Sequence, residues 1–520
     1  MKAGDTLPPD FNVATWFVDR NVDEGRATAP AFLYEDRVLS YGDVQELANR
    51  TGNALRELGI GVEDRVLMIC LDAPEFVGTF WGAIKIGAVP VPVNTLMRSA
   101  DWLYFLNDSR ATVAVVSASL LAEAGPILGQ APYLRHVLIA GGAPGPHLSW
   151  EDRVGRAAAT LTAAMTSRDD AAFWLYSSGS TGFPKGAVHL HHDMVVCTET
   201  YGKQVLGIRP TDRVFSAAKL FFAYGLGNAG YFPMSVGAQS ILFPHRPTPD
   251  GVFEILATRR PTLFFGVPTL YAAMLAVKEA DKRWDLSSLR LCVSAGEALP
   301  EELYTRWRER FGVEIIDGIG TTEVLHIFLS NRPGAVRPGS SGLPVPGYEC
   351  IVVDDDGRSV PQGEIGNLRV KGDSTMAYYW NKHDKTKETL FGEWIQTGDK
   401  YSQDAEGYFW YAGRADDMLK VGGIYVSPFE VEGALCTHPD VLEAAVVGQE
   451  DSDRLVKPKA FVVLKEPAGA SAALADELKA FVRDKIAPYK YPRWIEFAAE
   501  LPKTATGKIQ RFKLRAESSS

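Results

Sequence analysis

The sequence has few cysteines and no long apolar run. Its cysteines are Cys70, Cys197, Cys292, Cys350 and Cys436. They are widely separated, odd in number and form no CxxC pair, so a disulfide framework and a zinc site are disfavoured and we expect reduced core residues. No apolar stretch is long enough to span a membrane, and residues 1–10 lack the cationic start and apolar core of a signal peptide. These features predict a cytoplasmic protein without membrane attachment.

Positively charged residues are fewer than negatively charged ones. The chain contains 54 Lys and Arg against 64 Asp and Glu, a formal net charge of -10. Because proteins that coat nucleic acid need a cationic surface, no nucleic-acid partner is expected. His189, His191 and His192 crowd together without a matching Cys or His cluster, which predicts a loop and not a metal site. The acidic balance leaves the substrate open, since a cationic pocket can lie within an acidic protein.

The length and the alternation of elements indicate an α/β fold with more than one domain. At 520 residues the chain exceeds what one hydrophobic core normally fills. Ser40 and Asp43 resemble a capping box, and apolar residues recur at helical spacing from there to a glycine stop at Gly59. The other expected helices are 74–86, 301–310, 428–436 and 474–486. The expected strands are 66–71, 111–117, 137–140, 261–267, 289–294, 313–316, 444–447 and 460–464.

The pattern of apolar and polar residues changes beyond about Gly339. Short alternating stretches there predict a small β-rich subdomain. Charge clusters after Gly413, where we expect the joint between a large N-terminal domain, residues 1–415, and a small α+β domain, residues 416–520. The large domain is expected to hold several subdomains with mixed sheets. The alternating stretches are 348–353, 366–370 and 408–411.

An apolar run after residue 170 stops abruptly in small, hydroxylic and glycine residues and ends on Lys185. Glycines let a backbone approach an anion closely, while hydroxyls and a lysine supply hydrogen-bond donors. The stretch therefore predicts a phosphate-binding loop, with a flexible surface turn as the alternative. It is not a Walker A loop, because Pro184 precedes the lysine and Gly186 follows it. The residues of this loop expected at the phosphates are Ser177, Ser178, Gly179, Ser180, Thr181, Gly182 and Lys185.

A second glycine pattern, residues 225–230, matches GxGxxG. It lacks a clean preceding strand and an acidic residue at the distance that a dinucleotide-binding unit requires. A dinucleotide site is therefore disfavoured.

Residues 317–323 combine a glycine turn, two hydroxyls and a carboxylate at the end of a predicted strand. Such a loop can place Thr322 on a phosphate and Glu323 on a hard cation such as Mg2+, which prefers oxygen ligands. A solvated turn is the alternative.

Three stretches nearer the C-terminus carry further candidate binding residues. Residues 397–399 and 413–423 concentrate charge beside glycine, and residues 501–508 form a turn-like run that ends in Lys508. Pro502 argues against a helix interior there. Alone, this last run is typical of a basic tail.

Taken in order, these stretches resemble the acyl-adenylate-forming superfamily of acyl-CoA synthetases over nearly the whole chain. Within that superfamily, residues 217–228 (AAKLFFAYGLGN), 294–300 (SAGEALP) and 325–331 (LHIFLSN) look like the benzoate-CoA ligase branch. The resemblance implies an AMP-forming acid–thiol ligase. Such an enzyme joins a carboxylate to ATP with release of pyrophosphate, and then transfers the acyl group from AMP to the thiol of CoA.

The resemblance also implies roles for single residues. The loop at 177–186 would hold the β- and γ-phosphates of ATP, Thr322 would contact phosphate, and Glu323 would bind Mg2+. Lys508 would bridge the carboxylate and the α-phosphate during adenylation. At Ile319 most of the superfamily carries an aromatic residue that stacks on adenine, so this contact is not carried over. The other nucleotide-binding residues implied are Gly296, Glu297, Asp317, Asp399 and Arg414.

The resemblance assigns Lys420 and Lys508 to different half-reactions. Asp416 would be the hinge of a small, mobile C-terminal domain that rotates after pyrophosphate leaves. Lys420 and Gly423 would then face the CoA channel. A solvated surface lysine is the alternative for Lys420.

The acyl pocket that the resemblance implies is lined by Phe222, Ala223, Tyr224, Gly296, His326 and Ile327. Small residues beside aromatic ones suit a flat slot for a ring, with core packing as the alternative for each. The expected acid is benzoate or a substituted benzoate, and His326 is a candidate partner for a ring substituent. Two alternatives stay open: another acid (hydroxybenzoate, aminobenzoate, furoate, coumarate or a medium-chain fatty acid), or an enzyme that loads a separate carrier protein. A homodimer is the common default.

Overall fold

The computed structural model describes residues 6–177, 184–415, 417–421, 424–451, 455–486, 490–503 and 509–518. The strands, in chain order, are β1 (Pro30–Tyr34), β2 (Arg37–Ser40), β3 (Arg65–Ile69), β4 (Val89–Pro92), β5 (Val113–Ser117), β6 (His136–Ala140), β7 (Leu148–Ser149), β8 (Ala171–Ser177), β9 (Lys185–Leu190), β10 (Arg213–Ser216), β11 (Gln239–Leu242), β12 (Leu263–Gly266), β13 (Leu291–Ser294), β14 (Ile315–Gly320), β15 (Ile327–Ser330), β16 (Leu343–Pro344), β17 (Glu349–Val353), β18 (Gly366–Lys371), β19 (Tyr378–Tyr379), β20 (Leu390–Phe391), β21 (Trp394–Gln403), β22 (Phe409–Arg414), β23 (Leu419–Val421), β24 (Ile424–Val426), β25 (Val441–Glu450), β26 (Val456–Leu464) and β27 (Trp494–Phe497). The α-helices are α1 (Arg20–Asp23), α2 (Tyr41–Glu57), α3 (Pro74–Lys85), α4 (Ser99–Ser109), α5 (Leu121–Leu128), α6 (Trp150–Arg156), α7 (Asp193–Cys197), α8 (Ala223–Gly225), α9 (Phe232–Val236), α10 (Pro249–Arg259), α11 (Pro268–Ala276), α12 (Ala280–Arg283), α13 (Glu301–Phe311), α14 (His383–Thr389), α15 (Pro428–Cys436), α16 (Ala472–Lys485) and α17 (Arg511–Ser518).

The first layer of the molecule is a parallel sheet in the order β4-β3-β5-β6-β7. Helix α2 leads into it and begins with the predicted capping box. The Ser40 hydroxyl accepts a hydrogen bond from the Asp43 amide at 3.1 Å, and the Asp43 carboxylate accepts one from the Ser40 amide at 2.8 Å. This reciprocal pair satisfies donors that the first turn of a helix leaves free. Gly59, with a φ of +79°, reverses the chain after the helix.

The largest sheet has the order β16-β15-β14-β13-β12-β10-β11-β1-β2, and its centre from β1 through β14 is parallel. Strands of a parallel sheet are covered on both faces, and every residue of β12 and β13 is buried. In such sheets the loops at the carboxyl ends of neighbouring strands share one edge, where ligands bind. The loops after β10, β12, β13 and β14 therefore open on one edge of the molecule.

A smaller sheet consists of the hairpin β8–β9, with the short strand β19 paired to β9. Ser177 at the end of β8 pairs with Lys185 at the start of β9, so the predicted phosphate loop is the connection of this hairpin. His189 lies in β9 opposite Phe173, and its ring stacks on that phenyl ring with centroids 5.3 Å apart. The prediction of a loop at the histidine cluster is therefore wrong for His189, because strand pairing continues past this position.

The β-rich part of the chain forms the sheet β17-β18-β21-β20, with β22 paired to β21. The C-terminal part contains the hairpin β23–β24, the sheet β25-β26-β27 and helices α15 and α16. A hydrophobic cluster drawn from its own residues, between Leu419 and Phe497, packs these elements together. The predicted mixed α/β class, with a large N-terminal part of several sheets and a smaller C-terminal α+β part, is confirmed.

The cysteines are all free. Cys70, Cys197 and Cys292 are buried, and Cys350 and Cys436 are partly exposed. Among the residues that the structure describes, no helix combines the length and the apolarity needed to cross a bilayer.

Candidate active site

The two ends of the phosphate loop are anchored in the β8–β9 hairpin. The Tyr104 hydroxyl donates a hydrogen bond to the Pro184 carbonyl at 2.8 Å, which fixes the loop where it enters β9. Lys185 follows and is half-buried, with its Nζ atom 4.6 Å from the centroid of the Tyr379 ring. Burial lowers the pKa of Lys185, and the nearby charge of Glu323 opposes that shift. Five of the predicted loop residues lie outside the described residues: Ser178, Gly179, Ser180, Thr181 and Gly182.

Thr322 and Glu323 lie in a short 3-10 turn, Thr322–Val324, that follows β14. The Tyr379 hydroxyl donates to Oε1 of Glu323 at 2.6 Å, and the Met376 amide donates to the Glu323 carbonyl at 2.7 Å. Leu325, the next residue after the turn, has a φ of +71° and a ψ of -41° and is fully buried. A branched residue in this region is strained, and such strain persists only where the surroundings impose it. The structure thus brings the Glu323 carboxylate close to Lys185 within a tightly fixed turn.

The glycines before this turn have a different role from the one predicted. Strand β14 does not end at residue 316 but runs through Gly320 and pairs with β15. A Cβ atom on Gly318 would lie 2.6 Å from the Leu329 carbonyl oxygen, and one on Gly320 would lie 2.5 Å from the His326 carbonyl oxygen. The glycines are required because β15 approaches so closely, and the predicted glycine turn at 317–320 is wrong.

Asp317 is buried beneath the loop that follows β13. Its Oδ2 atom accepts a long hydrogen bond from the Leu299 amide at 3.5 Å, while its Oδ1 atom is a buried oxygen without a partner in the described ranges. Burial raises the pKa of this carboxyl well above its usual value. In the same loop, Gly296 is exposed and has a φ of +92°, a conformation that favours glycine, and Glu297 is partly exposed beside it. Asp317 therefore supports the loop that carries two of the predicted nucleotide-binding residues.

Asp399 and Arg414 face each other across β21 and β22, as directly opposed strand partners. The guanidinium donates from Nη1 to Oδ1 of Asp399 at 3.0 Å and lies beside the Thr397 carbonyl at 3.3 Å. The Asp399 carboxylate is almost fully buried, whereas Arg414 remains partly exposed. A charge-assisted bond of this kind holds a carboxylate in one orientation. The structure thus brings together two of the nucleotide-binding residues that the resemblance implies.

His326 forms the centre of the predicted acyl site. Its Nε2 atom lies 3.1 Å from Oδ1 of Asn228 and 3.3 Å from the Tyr224 carbonyl, and both of these are acceptors, so Nε2 carries the proton. Burial lowers the pKa of His326 to about 3, which keeps the ring neutral. Its Nδ1 atom is then a buried acceptor, and in the described part of the chain it has no partner.

Aromatic rings surround His326. The Phe232, Tyr201 and Tyr224 ring centroids lie 4.6, 5.1 and 5.8 Å from it. Gly227 lies in the π-helical segment Leu226–Tyr231, and a Cβ atom there would approach Cδ2 of His326 to 2.4 Å. The predicted GxGxxG stretch is therefore helical and packs against His326 of the predicted acyl site, where glycine makes room for the imidazole.

Tyr224 joins this wall to the edge of the large sheet. Its hydroxyl lies within hydrogen-bond distance of the Gly266 and Val293 carbonyls, at 3.2 and 3.3 Å, which belong to β12 and β13. Phe222 and Ala223 are partly buried just before it, and Ile327 is buried at the start of β15. Five of the six predicted pocket residues thus lie in two segments, residues 222–224 and residues 326–327. Only Gly296 lies elsewhere, in the loop after β13.

Several residues of this region were not predicted. Asp72 accepts a hydrogen bond from the Leu220 amide at 3.1 Å and lies 3.9 Å from the ammonium group of Lys219, which anchors the segment before Phe222. Burial raises the pKa of the Asp72 carboxyl to about 6, against the opposing charge of Lys219. Asn228 and Lys219 stand inside the stretch that carried the resemblance, but nothing in the sequence indicates the contact with Asp72.

Of the site residues predicted beyond residue 415, the structure describes only the backbone of Lys420. The backbone of Lys420 lies in β23 opposite Tyr425, while its side chain lies outside the described part. Asp416, Gly423 and Lys508 lie outside it as well. Next to the predicted hinge, Asp417 accepts a hydrogen bond from Arg515 at 2.8 Å. Within the described ranges, no group of three or more His, Cys, Asp and Glu side chains is arranged to hold a metal ion.

Comparison with known proteins agrees with this architecture. The family model for AMP-binding enzymes matches residues 18–380, and the model for the C-terminal domain of AMP-binding enzymes matches residues 430–508. The Benzoate–CoA ligase of Thauera aromatica is 54% identical over 516 residues, which cover 98% of this chain and 97% of that protein. The 4-hydroxybenzoate–CoA/benzoate–CoA ligase of Rhodopseudomonas palustris is 48% identical over 507 residues, covering 97% and 94%.

A solved structure is also very similar. The crystal structure of an anthranilate CoA ligase in complex with anthranoyl-AMP superposes with a TM-score of 0.95 at 48% identity, covering 100% of this chain and 99% of that one. The predicted membership of the acyl-adenylate-forming CoA ligases is therefore confirmed: the chain belongs to the AMP-binding enzyme family.

Proposed function

We propose that this chain is an AMP-forming aryl-CoA ligase that converts benzoate or a simple substituted benzoate, ATP and CoA into aryl-CoA, AMP and pyrophosphate. The observation that carries the proposal is the 54% identity to a benzoate–CoA ligase over nearly the whole chain. The predicted acyl site supports this substrate, because the aromatic rings of Tyr201, Tyr224 and Phe232 pack around the neutral ring of His326 at its centre. ATP and CoA are substrates by family membership.

The reaction proceeds in two steps through an aryl-adenylate. A carboxylate oxygen of the acid bonds to the α-phosphorus of ATP as the bond from that phosphorus to pyrophosphate breaks. The sulfur of CoA then bonds to the carbonyl carbon as the bond from that carbon to the AMP oxygen breaks, and the thiol proton is lost. Both steps place negative charge on oxygen, which preorganised donors and cations stabilise.

In the proposal, the β8–β9 connection and the turn after β14 bind the phosphates of ATP. In the proposal, Ser177, Lys185 and the loop residues 178–182 hold the β- and γ-phosphates, and Thr322 contacts phosphate. The position of Lys185 beside Glu323 supports this, since both then face the same end of the nucleotide. Gly296 and Glu297 are assigned to the adenine side, and Asp317 is a further nucleotide-binding residue of the proposal. Asp399 accepts the ribose hydroxyls, with Arg414 holding its carboxylate.

Mg2+ is proposed as the cation of the reaction, with Glu323 as its protein ligand. The donors fit, because the Glu323 carboxylate and the hydroxyl of the neighbouring Thr322 are oxygen ligands. Mg2+ sites in proteins commonly use one or two carboxylates, and substrate phosphates complete the coordination. When bound, Mg2+ neutralises charge on the phosphates. The chain itself contributes the fixed orientation of the Glu323 carboxylate.

Ring recognition is assigned to Phe222, Ala223, Tyr224, Gly296, His326 and Ile327. Because Nε2 of His326 donates inside the protein, its Nδ1 atom is left as an acceptor. An acceptor at this place suits a hydroxyl or amino group on the ring, the substituents named for two of the similar proteins. Benzoate leaves that acceptor unused, whereas a substituted acid can donate to it.

The small domain is proposed to alternate between two positions. Residues 1–415 form the nucleotide- and acyl-binding domain, residues 416–520 form the mobile domain, and Asp416 is the hinge. Lys508 serves adenylation, and Lys420 with Gly423 serves transfer to CoA. A homodimer and a cytoplasmic location stay predictions from the sequence.

A panel of carboxylic acids tests the proposed function. AMP release and acyl-CoA formation are measured with benzoate, 2-aminobenzoate, 4-hydroxybenzoate, acetate and octanoate, each with and without CoA. We expect CoA-dependent turnover with the highest kcat/KM among the aromatic acids. Preference for octanoate, or a product formed only when a carrier protein replaces CoA, would contradict the proposal.

A further inference from the structure

The sheet that carries the phosphate loop also reaches the turn that carries Glu323. Tyr379 lies in β19, which pairs with β9 so that Tyr379 stands opposite Ala187, close to Lys185 along the strand. Its side chain is 3% exposed, and its hydroxyl donates to Oε1 of Glu323 at 2.6 Å. A hydrogen bond of this length to a carboxylate is a strong, orienting contact.

The same ring contacts the lysine at the end of the phosphate loop. Nζ of Lys185 lies 4.6 Å from the ring centroid, within the range of a cation–π interaction. One side chain therefore touches both the cation assigned to the phosphates and the carboxylate assigned to Mg2+. Its hydroxyl serves one of them and its ring face the other.

The backbone of the turn is held independently of Tyr379. Nε2 of His189 lies 2.8 Å from the Thr322 carbonyl, and Nδ1 of His189 lies 2.7 Å from Oδ2 of Asp193. The Thr322 carbonyl oxygen can only accept, so Nε2 of His189 donates to it. The Met376 amide holds the Glu323 carbonyl from the other side. Removing the Tyr379 hydroxyl should consequently release the Glu323 carboxylate without moving the turn.

We propose that Tyr379 is a positioning residue that holds the Glu323 carboxylate in one orientation for Mg2+ and ties it to Lys185 of the phosphate loop. This inference rests on the proposed role of Glu323 as the Mg2+ ligand. In the described residues, Oε1 of Glu323 accepts from Tyr379 and leaves Oε2 for the cation. A carboxylate free to rotate would first have to be ordered when MgATP binds, and so would bind Mg2+ more weakly.

The test compares Tyr379→Phe with Tyr378→Phe. Tyr379→Phe keeps the ring and its contact with Lys185 but removes the donor, while Tyr378 is 42% exposed one position earlier in β19 and provides the matched control. Pyrophosphate release with benzoate is measured against free Mg2+. Calorimetric titration then gives the affinity for MgATP, and for ATP in EDTA, in the absence of benzoate.

We expect Tyr379→Phe to raise the Mg2+ concentration for half-maximal adenylation about tenfold and to weaken MgATP binding about tenfold, the usual scale for one hydrogen bond to a charged group. Binding of ATP in EDTA, thioester formation from supplied benzoyl-AMP and the melting temperature should stay at the wild-type values. Tyr378→Phe should match the wild type in every assay.

Two results would overturn the inference. Wild-type Mg2+ dependence in Tyr379→Phe, alongside a Mg2+ defect in Glu323→Gln, would show that Glu323 needs no help from Tyr379 while the proposed function stands. Equal losses of Tyr379→Phe in both half-reactions would mean that Tyr379 only supports the fold. The proposed function fails separately, if the wild type forms no adenylate with any aromatic acid.

Discussion

Replacing Glu323 by glutamine is expected to slow aryl-adenylate formation on the order of 10²- to 10³-fold, the usual effect of removing one group that stabilises charge in a transition state. Glutamine keeps the shape of the side chain and can still accept the hydrogen bond from Tyr379, so the turn Thr322–Val324 should stay in place. The substitution removes only the negative charge proposed to bind Mg2+. The second half-reaction, which no longer involves the β- and γ-phosphates, should be little affected.

Two assays separate the half-reactions. The first measures pyrophosphate release from benzoate and ATP, and the second measures benzoyl-CoA formed from supplied benzoyl-AMP and CoA. Glu314→Gln is a suitable control, because Glu314 lies before the first residue of β14, at the opposite end of that strand from the turn, and its carboxylate accepts a hydrogen bond from the Gly334 amide at 2.8 Å. Loss of both activities by the same factor in Glu323→Gln would contradict the assignment.

Exchanging Lys508 or Lys420 for alanine is expected to give opposite results in the same two assays. Lys508→Ala should lower adenylation on the order of 10²- to 10³-fold and spare thioester formation, because a cation on the carboxylate and α-phosphate matters only while the bond to phosphorus forms. Lys420→Ala should do the reverse. The reason is that, in the proposal, the two lysines belong to one small domain that presents only one of them to the substrate at a time.

A nearby lysine provides the control for this pair. Lys503 forms an ion pair with Glu443 at 2.6 Å on the C-terminal part of the chain. Lys503→Ala should therefore leave both half-reactions close to the wild-type rates, since a partly exposed pair contributes little. Equal impairment of both half-reactions by Lys508→Ala, or by Lys420→Ala, would exclude the division of labour.

Much of the fold follows from local rules that the sequence displays. Helix α2 could be predicted because the capping box at Ser40 and the stop at Gly59 act within a few residues. The predicted boundaries of β13 and α15 are close to the observed ones for local reasons too: β13 is a short apolar run, and α15 begins at Pro428 after the N-cap residue Ser427. Family resemblance then identified the reaction, because several motifs recur in one order along the chain.

The positioning contacts could not be predicted, because they join residues far apart in sequence. Tyr379 and Glu323 are separated by 56 residues, and Asp72 and Leu220 by 148. No local pattern marks either pair. The sequence predicts a turn at Gly318 and Gly320, because glycine has the same local signature whether it bends the chain or admits a neighbouring strand. Only the pairing of β14 with β15 distinguishes the two.

In the proposed acyl site, ring selection is assigned to the feature that the sequence predicts least well. The sequence identifies His326 but not the protonation of its ring, which Asn228 and the Tyr224 carbonyl determine together. The π-helical segment Leu226–Tyr231 packs against that ring, and Gly227 leaves space for the imidazole. That space comes from tertiary packing and has no signal of its own.

The central claim is that an aromatic carboxylate is activated as its adenylate. It is tested most directly by a single turnover with benzoate carrying ¹⁸O in both carboxylate oxygens, followed by mass spectrometry of the products. If a benzoate oxygen attacks the α-phosphorus and the CoA thiol then displaces AMP, one ¹⁸O appears in AMP and the other stays in benzoyl-CoA. Unlabelled AMP, or ADP formed together with labelled orthophosphate, would contradict the account.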